Sequence, residues 1–170
     1  MARLDQTAER AFDRLRGKQA ADRVFYAASE LGDFGLIWVI IGTVKGLRKG
    51  DDLATALRMI ALMGAESVLV NGVIKSCFRR TRPAWEVERP LRVRRPLTSS
   101  FPSGHATSAT SAAMVLSKDD ELWPLYVAVA AVVATSRIYV KIHHASDVAA
   151  GVALGAVLGG VGRRLLPAAH

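Results

Sequence analysis

Apolar residues gather along this chain into five runs, near Val24–Leu47, Leu53–Phe78, Ser103–Ser117, Leu122–Val140 and Ala145–Leu166, with short charged stretches between them. Runs of this length without strict alternation predict helices rather than strands. Two of the connections, LRKGDD and SKDDEL, are short charged hairpins, which makes each flanking pair of helices antiparallel. The connection from Arg79 to Phe101 is different, because its prolines and arginines cannot belong to a spanning helix. It is expected to be a lid or a loop facing lipid headgroups. Ahead of the first run, Leu4, Ala8, Ala11, Phe12 and Leu15 recur at helical spacing among Arg3, Arg10, Arg14 and Arg16. Residues 1–20 therefore predict an amphipathic helix, lying on a membrane surface or packed against the other helices.

Composition turns this pattern into a fold class. A chain of 170 residues that is 51% hydrophobic and 22% charged has segregated the two. The expectation is an all-α, polytopic membrane bundle of about five transmembrane helices with an N-terminal amphipathic surface helix, forming one domain over residues 1–170. A soluble helical bundle is the competing reading. The first twenty residues lack the uninterrupted apolar core of a secretory signal, so none is expected.

The net charge of +8 suits nucleic acid, an anionic membrane surface or an anionic substrate. Nucleic acid is disfavoured because the basic residues sit at the ends of apolar helices and form no long solvated stripe. The single Cys77 excludes an internal disulfide and stands among apolar and basic residues as filler. Gly151, Gly155 and Gly159 recur every four residues and let another helix approach closely, within the monomer by default or across a homo-oligomer face. Glu66 lies midway along the second helix, where an ionisable group is costly unless it is paired or faces a polar cavity.

Three clusters stand at helix ends: Lys75 and Arg82 in KSCFRRTRP, Ser103, Gly104 and His105 in PSGH, and Arg137, His143 and Asp147 in SRIYVKIHHASD. If the helices alternate in direction, all three fall on one membrane face. Lys75, Arg82 and Arg137 then bring three positive charges together, which near lipid calls for a multiply charged anion, and phosphate fits best. Ser103 and Gly104 begin a helix, so backbone N–H groups and the helix dipole can serve the same oxygens.

The histidines supply the chemistry. Asp147 follows His143 by one helical turn and can hold one ring nitrogen while the other attacks phosphorus. His105 can then protonate the departing oxygen, which is a poor leaving group as an alkoxide. His144 has Val148 at the corresponding position and carries no such role.

These stretches resemble the KxxxxxxRP, PSGH and SRxxxxxHxxxD motifs of the type 2 phosphatidic acid phosphatase (PAP2) superfamily, matching at every specified position. The resemblance implies a phosphatase that needs no metal or other cofactor and works through a phosphohistidine on His143, supported by Asp147. His105 would be the proton donor, and Lys75, Arg82, Ser103, Gly104 and Arg137 would hold the phosphoryl group. Many membrane members have six spans, whereas five are expected here. Membrane members act on lipid phosphates, including phosphatidic acid, polyprenyl diphosphates and polyprenyl-linked sugar phosphates. The small size and arginine-rich loop are similar to actinobacterial members proposed to dephosphorylate decaprenylphosphoryl phosphoribose.

The implied setting is the cell membrane, with the bilayer and a lipid phosphate as partners. Most Lys and Arg fall on the expected site face, which the positive-inside rule assigns to the cytoplasm, although the phosphate ligands themselves swell that count. The rival classes are a non-catalytic binder of anionic lipid and a soluble acid phosphatase or vanadate-type peroxidase with the same motifs. A binder needs no nucleophile, and a soluble enzyme needs no apolar runs of spanning length.

Overall fold

The computed structural model describes residues 2–49, 52–83, 89–91, 93–94 and 96–165. Among these the chain forms seven α-helices and no strands: α1 (Ala2–Asp13), α2 (Gln19–Leu31), α3 (Leu36–Lys49), α4 (Asp52–Ser67), α5 (Gly104–Leu116), α6 (Trp123–Tyr139) and α7 (Ala145–Leu165). The helix α4 continues through a π-helical stretch, Val68–Val73, and a 3₁₀ turn, Ile74–Cys77. Within the expected loop of residues 79–101, Arg92 and Arg95 lie outside the described residues, as does Leu166 at the end of the fifth run.

The short helix α5 is the central strut, packed between α6 and α7 and against α4. Its small residues let neighbours close in from several sides, burying Ala106, Ala109, Ala112 and Ala113. The buried hydroxyls of Thr107, Ser108 and Ser111 donate to carbonyls of their own helix and its cap, so each of the three is satisfied. A cluster of Trp38, Met59, Met63, Leu116, Tyr126 and Val133 fills the space between α3, α4, α5 and α6.

The glycines of α7 face α5. A Cβ at Gly151 would lie 2.5 Å from the Ser103 carbonyl oxygen, and one at Gly155 would lie 2.5 Å from that of Thr107. The close approach that Gly151, Gly155 and Gly159 permit is thus used by α5 inside the monomer, the default arrangement expected for that spacing.

The outward surfaces are apolar: Ile40, Val44, Leu57, Ile60, Val127, Val152 and Val157 are exposed. Among the described residues, two helical segments are long and apolar enough to cross a bilayer, Ala56–Cys77 and Ala145–Arg164, and α6 is a shorter apolar helix. The first expected run is not one helix. Its two halves, α2 and α3, are bent by 68°. The break is the turn Asp33–Gly35, where Phe34 (φ 56°) and Gly35 (φ 71°) both have left-handed backbone. Glycine takes that conformation freely and phenylalanine does so under strain.

At the N-terminus, α1 packs on α6 and α7. Ala8 and Phe12 sit against a core of Ala106, Ala134, Ile138, Ala145 and Val148. Arg16, just after α1, donates to the carbonyls of Ile138 and Tyr139 and so closes the end of α6.

Candidate active site

The α2–α3 break, α4 with its extension, the long loop, the start of α5, the end of α6 and the turn before α7 enclose a cavity of about 560 Å³. Lys75, Arg82, Gly104, His105, Arg137 and His143 all line it. Ser103 and Asp147, fully buried, support its floor from behind. The eight residues singled out from the sequence thus converge on one place.

Each is held by a local feature. Ser103 caps α5, its hydroxyl accepting from the Ala106 N–H, while its own N–H donates to the Asp147 carbonyl at 3.0 Å. That bond ties the start of α5 to the start of α7. Gly104 leaves room for the α4 extension, since a Cβ there would press on Asn71 at 3.3 Å and lie 3.6 Å from the Lys75 ammonium. Lys75 donates to the Asn71 carboxamide oxygen at 2.8 Å. Arg82 donates to the carbonyls of Ile142, Thr98 and Ser99, which fastens the long loop over the cavity. Its Nη1 also lies 3.2 Å from Nε2 of His143. Arg137, buried at the end of α6, donates to the Ser29 hydroxyl.

His143 follows α6 in a tight turn, its N–H donating to the Arg137 carbonyl. Its Nδ1 stands 3.5 Å from Oδ2 of Asp147, beyond a formed hydrogen bond, so a small movement closes the pair. Asp147 is meanwhile held by the His144 N–H at 2.9 Å and by Arg80 at 2.6 Å. Burial pushes the His143 imidazole down to about 3; Asp147 opposes this, and the charges of Arg137, Arg82 and Lys75 reinforce it. The ring is therefore neutral at physiological pH.

Several participants were not read from the sequence. Asp33, in the α2–α3 break, places Oδ1 3.1 Å from Nε2 of His105, and the Ser29 carbonyl lies 3.1 Å from the same nitrogen. Gly32 permits this, because a Cβ there would meet the His105 ring at 2.7 Å. Arg80 bridges Asp147 to Asp5 of α1, and Asp5 also accepts from the Ser146 N–H and hydroxyl. Burial works to raise Asp5, but those bonds from Ser146 and the Arg80 charge hold its carboxyl below the usual range. A glycine-flanked aspartate inside an apolar run was the one available signal for Asp33.

Four cations, Lys75, Arg82, Arg94 and Arg137, and two histidines line one cavity among apolar helices, a setting suited to a membrane protein that handles a phosphate-like anion. The chain belongs to the PAP2 superfamily, whose family model matches residues 55–169. It is 34% identical over 139 residues to the decaprenylphosphoryl-5-phosphoribose phosphatase of Mycobacterium tuberculosis, covering 78% of this chain and 73% of that protein. The Mycolicibacterium smegmatis protein of the same name is 32% identical over 128 residues, covering 74% and 68%. Among solved structures, the transmembrane PAP2 type phosphatidylglycerolphosphate phosphatase from Bacillus subtilis superposes with a TM-score of 0.72 at 25% identity, over 95% of this chain and 83% of that one. The protein is thus a hydrolase of phosphoric esters, a membrane lipid phosphatase.

Proposed function

We propose that the protein removes a phosphate from a polyprenyl-linked or phospholipid substrate through a phosphohistidine on His143, and that its preferred substrate is decaprenylphosphoryl-5-phosphoribose or a close analogue in cell-envelope synthesis. The observation that carries the mechanism is the placing of Nε2 of His143 against Arg82, 3.2 Å away, in a cavity also lined by Lys75, Arg137 and His105. The mycobacterial relatives support the choice of substrate.

In the first step Nε2 of His143 attacks phosphorus, an N–P bond forms, and the P–O bond to the alcohol breaks. His105 delivers a proton to the departing oxygen. Lys75, Arg82 and Arg137 neutralise the charge on the phosphoryl oxygens, while the N–H groups at the start of α5, from Gly104 onward, add the helix dipole; Ser103 caps that helix and holds it in place. Asp147 moves onto Nδ1 as the imidazole becomes cationic. In the second step His105, now neutral, takes a proton from water; the hydroxide forms the new P–O bond, the N–P bond breaks, and inorganic phosphate leaves.

The surrounding topology is five crossing segments in a multi-pass cell-membrane protein: the bent α2–α3 pair, α4 with its extension, α5, α6 and α7. The helix α1 lies along the membrane surface at the site end. A substrate anchored in the bilayer then reaches the site by lateral diffusion. Phosphate release from a panel of lipid phosphates in detergent tests the reading: the ribose-linked substrate should be turned over fastest and His143→Ala should release none. Equal release by the two proteins would overturn it.

A further inference from the structure

The phosphoryl cradle uses only part of the cavity. A volume of about 560 Å³ falls in the range of sites that hold whole small molecules. One wall takes no part in the chemistry proposed above. It is built by Met63, Glu66, Ser67 and Asn71 of α4 and its π-helical extension, a rare geometry found often at functional sites.

Glu66 is the telling residue. It is 6% exposed, it lines the cavity, and its Oε1 has no hydrogen-bond partner. An unpartnered carboxyl oxygen accepts hydrogen bonds, so its burial on the cavity wall calls for a donor from outside the protein. Beside it, Asn71 donates to the Ser67 hydroxyl at 3.2 Å and accepts from Lys75 at 2.8 Å. A polar track therefore runs from Ser67 through Asn71 to the cation at the phosphoryl site. Hydroxyl groups are the matching ligand, since a vicinal diol offers two donors to one carboxylate and can accept from its neighbours in turn.

We infer that Glu66, with Ser67 and Asn71, is a hydroxyl-recognition subsite that selects lipid phosphates whose phosphate is carried on a sugar or other polyol. This deepens the proposed function and rests on its reading of the cavity as a lipid-phosphate site. Phosphatidic acid, whose phosphate joins a glycerol with no free hydroxyl, leaves Glu66 unpaired. A buried group left unpaired by one substrate and satisfied by another is a strong source of discrimination.

The test uses two non-hydrolysable phosphonates, an isoprenyl-phosphoryl ribose 5-phosphonate and its vicinal dideoxy counterpart. Their binding to the full chain in detergent is measured by calorimetry. The unmodified protein should prefer the hydroxylated ligand by about tenfold, one buried hydrogen-bonded pair's worth. Glu66→Leu should reduce that preference towards one. Glu66→Gln, which keeps size and shape, should reduce it as well and covers the case of a leucine variant that does not fold. A preference below threefold in the unmodified protein, or one undiminished in both variants, overturns the subsite. If Glu66 only balances Lys75, both ligands weaken together and the ratio stands, which also overturns it. Phosphate release from phosphatidic acid and the ribose-linked substrate runs alongside; release from neither sinks the phosphatase mechanism while the binding ratio still decides the subsite.

Discussion

The cavity holds two histidine–carboxylate pairs that are built in different ways. His143 and Asp147 are four residues apart, joined by the first turn of α7, and both are almost wholly buried at 3% and 0% exposure of their side chains. His105 and Asp33 come from distant parts of the chain, meet because α2 and α3 break beside α5, and keep 15% and 26% of their side chains exposed. The buried pair is locked by the main-chain bond of His143 to Arg137 and surrounded by cations, which keeps the ring neutral. The more open pair keeps a carboxylate oxygen 3.1 Å from Nε2 of its imidazole and has contact with solvent. In the proposed mechanism the first environment serves the group that attacks phosphorus and the second the group that gives and recovers a proton.

The largest expected effect breaks the buried pair. His143→Ala should lower phosphate release by about 10⁴-fold or more, because the proposed mechanism passes the phosphoryl through this imidazole. Brief mixing of the unmodified enzyme with substrate labelled in the phosphate, followed by alkaline quench, should yield protein-bound phosphate that acid removes; the variant should yield none. Loss of activity with undiminished labelling would place the nucleophile elsewhere.

Next in size is the more open pair. His105→Ala should cost about 10²–10⁴-fold on a lipid phosphate, whose alkoxide must be protonated as it leaves. With an aryl phosphate, whose phenolate leaves unaided, the same variant should lose far less. An equal loss on both substrates would mean that His105 holds the fold or the phosphate and is not the acid.

The difference between the pairs also explains what could be read in advance. A spacing of four residues is a property of the sequence, so His143 and Asp147 were legible together, as were the cations at helix ends. The partnership of His105 with Asp33 depends on where a broken helix lands, and no local pattern encodes that. The break itself was masked because membrane helices tolerate glycine, so Gly32 and Gly35 did not outweigh the apolar run around them. Arg80 was hidden for another reason: in a loop full of arginines, nothing marks the one that reaches Asp147 and Asp5. In α7 the glycine spacing announced a close helix contact correctly, but spacing names no partner, and the partner is α5.

A smaller effect sharpens the open pair. Asp33→Asn keeps the shape of the turn and removes the charge facing His105, so the imidazolium loses its counterion. Turnover of a lipid phosphate should fall about tenfold, equivalent to about 1.4 kcal/mol in the barrier. The loss should shrink on an aryl phosphate, as for His105→Ala, because Asp33 acts through the acid. A purely structural aspartate would cost the same on both.

The smallest effect is a shift, and it probes why the buried pair stays neutral. The Arg82 charge, 3.2 Å from Nε2, disfavours a proton on His143, in the same direction as burial. In the unmodified enzyme, protonation of His143 therefore takes no share of activity as pH falls from 7 towards 4; the ring remains neutral until about 3. Arg82→Gln removes one of the charges and should raise the pKa of His143 towards its ordinary value near 6.5. The variant should be slower at every pH, since Arg82 is also a proposed phosphoryl ligand, so the readout is the shape of the kcat/KM profile and not its height. Its acid limb should move up by about one unit relative to the unmodified enzyme, equivalent to about 1.4 kcal/mol of lost repulsion. The substrate's own phosphate ionisation is common to both profiles and cancels in the comparison. A limb that stays in place would mean that burial alone keeps His143 neutral and that the arginine serves only to hold the anion.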